Sequence, residues 1–356
     1  MYSKQNKVVF SSTLINWYLN NKRDLPWRNT LRPYNIWLSE IMLQQTRVAQ
    51  GLPYYMDFIS TFPTVFDLAK APEQKVLKHW QGLGYYSRAR NLHHTAQYVA
   101  NELKGEFPKN YKELLKLKGI GEYTAAAIAS FAFNEPVPVV DGNVFRVLAR
   151  YFDIETDISL AKAKKEFSEL ALELMPKNDP ATFNQAIMEF GALQCVPKNP
   201  DCQNCIFNSS CAALQKKKVQ NLPVKLKKVK ISNRFFNYLV FEDDQLNTII
   251  NKRDQKGIWQ NLYEFPLIET KTEINFEQIA DLIISNYKTK YKIVSITNFN
   301  SRAIIHKLSH QHLNINFWKV KVKGAILEGI NRKKIKDFPF PKVIFNFIEQ
   351  EYDELS

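Results

Sequence analysis

The sequence predicts two folded domains in one chain, an all-helical domain over residues 1–215 and an α+β domain over residues 231–356. Apolar residues recur at helical spacing up to residue 193, which is typical of amphipathic helices. Runs rich in β-branched and aromatic residues begin only at Phe235, which favours strands from there on. Residues 216–230, KKKVQNLPVKLKKVK, contain seven lysines and no acids, so they indicate a solvated linker.

The same patterns predict individual elements, separated by loop signals such as Phe62-Pro63 and Phe107-Pro108. Helices are predicted over residues 9–19, 36–49, 54–58, 76–80, 89–103, 111–117, 123–133, 144–151, 161–174 and 182–193. In the second domain strands are predicted over residues 235–241, 248–252, 293–298, 303–308 and 313–322, with helices at 276–287 and 341–351.

The composition narrows the classes of function. The net charge is +14 and aromatic residues make up 13%, a balance that suits a nucleic-acid-binding protein, although a generally lysine-rich proteome is the alternative. No run of about 18 apolar residues occurs, which argues against a membrane span. The N-terminal MYSKQNKVVF lacks the apolar core of a signal peptide, so the cytoplasm is the expected location.

All four cysteines lie within residues 195–211, in the pattern Cys195-x6-Cys202-x2-Cys205-x5-Cys211. In a cytoplasmic protein such clustering favours a metal site over disulfides. Four thiolates so close in sequence can hold a tetrahedral zinc ion or one [4Fe–4S] cluster, and the spacing alone leaves this choice open. A site closed by four protein ligands indicates a structural role.

A glycine turn at residues 119–121 joins two helical patterns and predicts a helix–hairpin–helix. Gly119 and Gly121 permit a tight turn whose backbone N–H groups can approach an anion, and the dipole of the following helix favours phosphate there. An ordinary turn between two helices is the alternative.

Two carboxylates are candidates for chemistry. Asp141 directly precedes the helical pattern at 144–151, so it is either a plain helix N-cap or a carboxylate that stabilises a developing sugar cation. Glu40 lies between apolar residues of its predicted helix, Ile36 and Leu43. Burial there would raise its pKa and let it donate a proton near neutral pH, whereas an exposed helix glutamate is the alternative.

Residues 82–88, GLGYYSR, form a glycine-flexed loop in which Leu83 and Tyr85 are expected to be exposed. Apolar and aromatic loop tips that wedge between base steps are used by proteins that deform DNA. A packed loop between helices is the alternative.

Six segments together resemble the adenine DNA glycosylases of the MutY type, which belong to the helix–hairpin–helix glycosylase superfamily. They are LPWR at 25–28, SEIMLQQTRV at 39–48, GLGYYSRARNL at 82–92, LKGIGEYTA at 117–125, VVDGNV at 139–144 and the cysteine pattern. The resemblance covers nearly the whole chain. It implies a six-helix hairpin subdomain and a cysteine-loop subdomain that holds one [4Fe–4S] cluster.

The resemblance also implies the chemistry, the removal of adenine paired with 8-oxoguanine or guanine during base excision repair. Glu40 would protonate adenine N7, and Asp141 would stabilise or trap the sugar cation, with Tyr123 lining the sugar side. Asn143 would orient Glu40 or the attacking water. The endonuclease III branch carries a Schiff-base lysine where this chain has Tyr123, so a monofunctional glycosylase without efficient strand cleavage is expected.

Binding roles follow from the same resemblance. Trp27, Arg28 and Gln185 are candidates for the adenine pocket. Gln45, Thr46, Leu83 and Tyr85 match residues that contact or wedge beside the opposing oxidised guanine, and Gly119 and Gly121 would bind a phosphate.

The second domain resembles the MutT-like, Nudix-fold module of this family, through GIWQNLYEFP at 257–266. The carboxylate-rich helix of a working Nudix hydrolase is replaced by IETKTEINFEQIADL, so nucleotide hydrolysis is not expected. Ser309 and His310 match the loop that reads 8-oxoguanine, whereas Leu308 stands where the family has Phe.

The expected partner is double-stranded DNA with an A:8-oxoguanine or A:G mispair. The protein is expected to act as a monomer on the nucleoid in a bacterial cytoplasm, without contact to a membrane. Two rival hypotheses are an endonuclease III-like lyase, against which Tyr123 argues, and a non-catalytic DNA-binding protein. The second rival requires Glu40 to be a surface residue and Asp141 a bare cap.

Overall fold

The computed structural model describes residues 4–226 and 231–353 of the chain, and these form two compact units. The first unit contains the described residues up to Ala69 and those from His94 to 226. The second contains Lys70–His93 and the described residues from 231 onward. Residues 70–93, predicted to belong to the helical domain, thus pack with the second unit, and the boundaries at 215 and 231 stay a prediction.

Within residues 4–226 the chain forms twelve α-helices. They are α1 (Lys4–Asn21), α2 (Pro33–Leu43), α3 (Val48–Thr61), α4 (Val65–Lys70), α5 (Glu73–His79), α6 (Ser87–Asn101), α7 (Tyr111–Leu114), α8 (Glu122–Phe133), α9 (Gly142–Phe152), α10 (Ala161–Leu174), α11 (Pro180–Leu193) and α12 (Ala212–Gln215). The predicted helix 36–49 is wrong as one element, because the chain breaks between α2 and α3. Gln45 there has a φ of +55°, which no α-helix accommodates. The short α4 and α12 were not predicted, since neither is long enough to show a helical period.

The core of the first unit lies between α1, α9, α10 and α11. Helix α9 buries Val144, Val147, Leu148 and Tyr151, which recur at helical spacing, and Tyr151 packs 4.6 Å from Phe10 of α1 between ring centroids. Burial of this stripe fixes α9, and with it Asp141 at its N-terminus, against the rest of the unit.

The lysine-rich segment after α12 is not a free linker over its described part. Leu222 is buried, and its carbonyl accepts a hydrogen bond from Arg150 Nε at 3.0 Å. Lys216 and Lys218 both pair with Asp153. The linker over residues 216–230 stays a prediction; part of its described segment is attached to the first unit, and residues 227–230 lie outside the described part.

The second unit is built on a five-stranded sheet of order β5–β1–β8–β6, with β7 also paired to β8. Its elements are β1 (Ser232–Glu242), β2 (Asn247–Thr248), β3 (Asn251–Lys252), β4 (Tyr263–Glu264), β5 (Leu267–Thr270), α13 (Phe276–Tyr287), β6 (Lys292–Asn298), β7 (Ile304–Lys307), β8 (Gln311–Lys323), β9 (Ile330–Asn331) and α14 (Lys342–Asp353). The long β1 and β8 run parallel through the centre, and the other pairs are antiparallel.

The prediction of an α+β second domain is confirmed, and the helix predicted at 276–287 coincides with α13. The predicted strand 248–252 is instead two separate two-residue strands, β2 and β3, with different partners. Strands β4, β5 and β9 were not predicted, because two to four residues are too few for an alternating pattern. None of the helices in the described part of the chain has the length and apolar character to cross a bilayer.

Candidate active site

A cavity of about 570 Å³ opens in the first unit, where α2, α8, α9 and α11 meet. All seven residues that were predicted for catalysis and for the adenine pocket line it, together with Thr46, which was predicted to contact the opposing base. The seven are Trp27, Arg28, Glu40, Tyr123, Asp141, Asn143 and Gln185. Helical packing thus brings together residues that lie up to 158 positions apart in the sequence, from 27 to 185.

Glu40 is only 7% exposed, on the wall of α2 that faces the cavity. The Tyr123 hydroxyl donates a hydrogen bond of 2.8 Å to its Oε2. Burial raises the pKa of Glu40 to about 7; the charge of Asp141 adds to the rise, while Tyr123 and Arg28 oppose it. A carboxyl group with this pKa holds a proton near neutral pH and can donate it to a base.

Asp141 is the N-cap of α9, and both of its carboxylate oxygens have donors. Oδ1 accepts from the backbone N–H groups of Asn143 and Val144, each at 2.8 Å, and Oδ2 accepts from Asn143 Nδ2 at 2.7 Å. Burial raises the pKa of Asp141 above its ordinary value, and these donors limit the rise. The carboxylate of Asp141 therefore caps α9 and lines the cavity at the same time.

Asn143 was predicted to orient Glu40 or a water molecule, which stays a prediction, and its hydrogen bonds go to Asp141 and Arg146. Its amide nitrogen binds Asp141, and its Oδ1 accepts from Arg146 Nη2 at 2.9 Å. Asn143 therefore fixes the carboxylate of Asp141, because its side chain is held between that group and Arg146.

Tyr123 lies in the first turn of α8, directly after the glycine turn. Gly119 has a φ of +77°, which favours glycine, and a side chain at Gly121 would meet no protein atom within 4 Å. The fold itself therefore leaves open space beside Gly121, where the backbone of another molecule can approach. Burial, together with Glu40 and Asp141, raises the pKa of Tyr123 well above its ordinary value, so its hydroxyl stays a donor.

The Tyr123–Glu40 hydrogen bond leads to a pH prediction. If protonated Glu40 is the active form, kcat/KM of the reaction at this site falls as the pH rises through about 7. The Tyr123 hydroxyl stabilises the anion of Glu40, so Tyr123→Phe should raise that pKa and move the alkaline limb upward by about one unit. A pH–rate profile checks this, with Tyr98→Phe as a surface control. An unshifted limb would show that the bond does not tune Glu40.

Glu189 was not predicted, although it is 1% exposed and central to the cavity wall. It binds the guanidinium groups of Arg23 and Arg28, in each case through both carboxylate oxygens. Burial alone would raise the pKa of Glu189, but the two arginines outweigh it and lower the pKa to about 2. A lone glutamate in the apolar run AIMEFGAL was the available signal, the same kind of signal that identified Glu40.

The residues predicted for the adenine pocket all face the cavity, but two of them already have partners. Arg28 is bound to Glu189, and Gln185 Oε1 accepts from the Tyr18 hydroxyl at 2.5 Å. Trp27 packs edge-on against the Tyr55 ring, with 5.0 Å between centroids. The flat face of the indole and the remaining amide group of Gln185 are the groups best suited to contact a planar base.

A second cavity, of about 690 Å³, lies within the second unit. It brings together Tyr85, Ser309 and His310, three of the residues predicted to read the opposing base, and the hydroxyl groups of Tyr85 and Ser309 are hydrogen-bonded.

Leu83 is 4% exposed, so the expectation of an exposed leucine in this loop is wrong. Its carbonyl accepts a hydrogen bond of 3.3 Å from Arg88 Nη2. Gln45 is exposed at the end of α2 in the first unit.

All four cysteines line one further cavity of the first unit, beside Arg150 and Phe207. Arg150 Nη1 lies 3.5 Å from Cys195 Sγ and donates to the Val196 carbonyl, while Nη2 and Nε donate to the carbonyls of Pro197 and Leu222. Burial raises the pKa of Cys205 to about 11, and the neighbouring thiols add to the rise. A thiol in this environment stays protonated unless a nearby cation compensates its thiolate. Within residues 4–226 and 231–353, no three His, Cys, Asp or Glu side chains converge closely enough for a single metal ion.

Residues 38–177 match the family of HhH-GPD superfamily base excision DNA repair proteins, and residues 237–350 match the NUDIX domain. The adenine DNA glycosylase of Buchnera aphidicola subsp. Schizaphis graminum is 35% identical over 351 residues, which cover 96% of this chain and 98% of that protein. A thermostable thymine-DNA glycosylase of known structure is 33% identical, with a TM-score of 0.55 over 60% of this chain and 98% of its own. A trapped endonuclease III–DNA covalent intermediate, at 22% identity and a TM-score of 0.54, covers 61% of this chain and 99% of its own and shares the fold.

Proposed function

This chain belongs to the adenine DNA glycosylase family, and we propose that it removes adenine paired with 8-oxoguanine or guanine in duplex DNA and leaves an abasic site. It is a base excision repair enzyme that binds DNA and hydrolyses N-glycosyl bonds. The observation that carries the proposal is the meeting of Glu40 and Asp141 in one cavity, because the first holds a proton and the second can face a cation.

The proposed reaction begins with an adenine that has left the base stack, at a cost that is lower for a mispair. Glu40 donates its proton to adenine N7, and the C1′–N9 bond breaks with its electron pair passing to the base. Tyr123 binds Oε2 of Glu40, which leaves Oε1 to carry the donated proton. The base then departs as neutral adenine.

The sugar is left as an oxocarbenium-like cation, and Asp141 stabilises it or adds to C1′. Asn143 holds the carboxylate of Asp141 in place from one side. Water finally adds to C1′, displacing the Asp141 carboxylate where it has added, and gives up a proton, for which the Glu40 carboxylate is the available base. The phenol of Tyr123 cannot form an imine with C1′, so the product is an intact strand with an abasic site.

The other predicted residues take binding roles in this proposal. Trp27, Arg28 and Gln185 would surround the adenine, with Arg28 held by Glu189. Gly119 and Gly121 would bind a DNA phosphate through backbone N–H groups, for which the open space beside Gly121 is suited. Gln45, Thr46, Tyr85, Ser309 and His310 would contact the opposing base or its neighbours, whereas Leu83 is buried in the protein without DNA.

The second unit would recognise the opposing base without hydrolysing nucleotides. Its helix α13 carries Glu277 and Asp281 as its only acids, too few to hold the magnesium ions of a Nudix hydrolase. The protein would act as a monomer on DNA of the bacterial nucleoid, and its net charge of +14 favours binding along the phosphates.

Cys195, Cys202, Cys205 and Cys211 would hold one [4Fe–4S] cluster. This assignment is supported by their shared cavity and by the family of the chain. When bound, the cluster supplies structural cross-linking of the loop after α11, and Arg150 anchors that loop to α9 through the carbonyls of Val196 and Pro197.

The cluster assignment predicts that Cys205→Ala lowers the iron content and abolishes the brown thiolate-to-iron absorption, because one of four ligands is lost. Iron and sulfide analysis with an absorption spectrum measures this, and Ser209→Ala in the same loop is the control. A colourless wild-type protein that contains zinc contradicts the assignment.

The experiment that tests the function compares duplexes with one adenine opposite 8-oxoguanine, guanine or thymine. We expect release from the first two and none from the A:T duplex. Equal release from all three duplexes would refute the proposed mispair specificity.

A further inference from the structure

The loop at residues 82–85 is attached to the backbone of one residue, Phe340. The Phe340 N–H donates to Gln81 Oε1 at 2.9 Å, and the Phe340 carbonyl accepts from the Tyr86 hydroxyl at 3.3 Å. That hydroxyl also accepts from the Gly82 N–H at 3.1 Å. Gln81 and Tyr86, which flank the loop, therefore bind the backbone N–H and the carbonyl of Phe340. We call this arrangement the Phe340 clamp.

The interior of the loop is fixed by Arg88 and Trp80. Arg88 Nη2 donates to the carbonyls of Leu83 and Gly84 at 3.3 and 3.1 Å, and Trp80 Nε1 donates to Gly84 at 3.0 Å. Tyr85 at the tip has a φ of +47° and a side chain that is 46% exposed. A loop with a fixed interior moves as one piece, so its two flanking attachments help to set where Tyr85 is held, beside the direct hydrogen bond of Tyr85 to Ser309.

Two further contacts fasten the same segment to the loop at residues 257–261. Arg90 Nη1 donates to the carbonyl of Gln260 at 2.8 Å, and Asn261 Nδ2 donates to Glu73 Oε1 at 2.6 Å. That loop also lines the 690 Å³ cavity with Ser309 and His310. The loop at residues 82–85 and the loop at residues 257–261, which both line the cavity, are therefore connected by hydrogen bonds within the second unit.

We propose that Gln81 and Tyr86 are positioning residues for reading the base opposite the excised adenine. They hold Tyr85 at a set place relative to Ser309 and His310 before DNA binds, so that the reading surface is preassembled. A preassembled surface does not lose conformational entropy when DNA binds. More of the free energy of its contacts is then available to discriminate 8-oxoguanine from guanine. This inference rests on the proposed function, because discrimination between 8-oxoguanine and guanine is its purpose.

The test uses the full chain with Gln81→Leu and Tyr86→Phe, singly and together. Gln81→Glu is the matched rescue variant, since a carboxylate oxygen can still accept from the Phe340 N–H. Amide hydrogen exchange of the free proteins should become about tenfold faster at residues 82–86 in the double variant, with no change at residues 122–130. Exchange in Gln81→Glu should match the wild type.

The second readout is the ratio of single-turnover rates of adenine release from A:8-oxoguanine and A:G duplexes. We expect about a three- to tenfold fall in this ratio for the double variant, with the A:G rate nearly unchanged and the ratio restored in Gln81→Glu. Unchanged exchange at 82–86 overturns the clamp. Faster exchange with an unchanged ratio overturns its role in reading. A wild type that releases no adenine overturns the proposed function and the reading role together, while the exchange result still decides whether the clamp exists.

Discussion

Glu40→Gln is expected to lower the single-turnover rate of adenine release by about 10²- to 10⁴-fold, the usual contribution of a general acid. The amide keeps the shape of the side chain and an oxygen that can accept from Tyr123, but it has no acidic proton. Without that proton adenine would have to leave as an anion, which is a poor leaving group.

Adenine release from an A:8-oxoguanine duplex measures this effect, and binding to a duplex with an uncleavable adenine analogue shows whether the site is intact. Glu122→Gln is the matched control, because Glu122 is exposed near the same turn and pairs only with Lys164 among the ion pairs of the described chain. Turnover near the wild-type rate in Glu40→Gln would remove Glu40 from its proposed role.

Asp141→Asn is expected to lower the same rate by about 10²- to 10³-fold, in the range found when one preorganised electrostatic group is removed. Asparagine caps helices about as well as aspartate, so its oxygen can keep the bonds from the Asn143 and Val144 N–H groups. What is lost is the negative charge beside the sugar cation.

Thermal unfolding of Asp141→Asn distinguishes the role of Asp141 as the N-cap of α9 from the role of its charge in the reaction. Asp179→Asn is the control, since Asp179 caps α11 through the Thr182 N–H without facing the cavity. If Asp141→Asn loses stability but releases adenine at the wild-type rate, Asp141 is only a cap. If it unfolds near the wild-type temperature with the expected rate loss, the charge is what the reaction uses.

The sequence predicted the two-domain architecture and the family, and it identified Glu40 because a charged residue in an apolar helix is a visible anomaly. Glu189 carried the same signal on α11. Its role was not predictable, because its partners, Arg23 and Arg28, lie more than 160 positions away and no local pattern connects them. A buried ion pair of this kind becomes visible only when the helices are packed.

Other differences also arise from long-range packing. Leu83 looked exposed because its glycine neighbours indicate a surface loop, but the side chain turns inward where Arg88 binds its carbonyl. Residues 70–93 show a helical period of apolar residues, but this period does not indicate which of the two units they pack with. The bonds from Gln81 and Tyr86 to Phe340 span about 250 positions, so the sequence contains no local trace of them.

If this chain removes adenine by hydrolysis, without an amine at the sugar, its product is an intact strand that breaks only in alkali. Excess wild-type protein is incubated with a duplex that has a single adenine opposite 8-oxoguanine, and half of each sample is heated with alkali. We predict a strand break at the adenine position only in the alkali-treated half. Breakage without alkali would contradict the claim by revealing lyase chemistry, and an intact strand in both halves would contradict it by showing that no adenine is released.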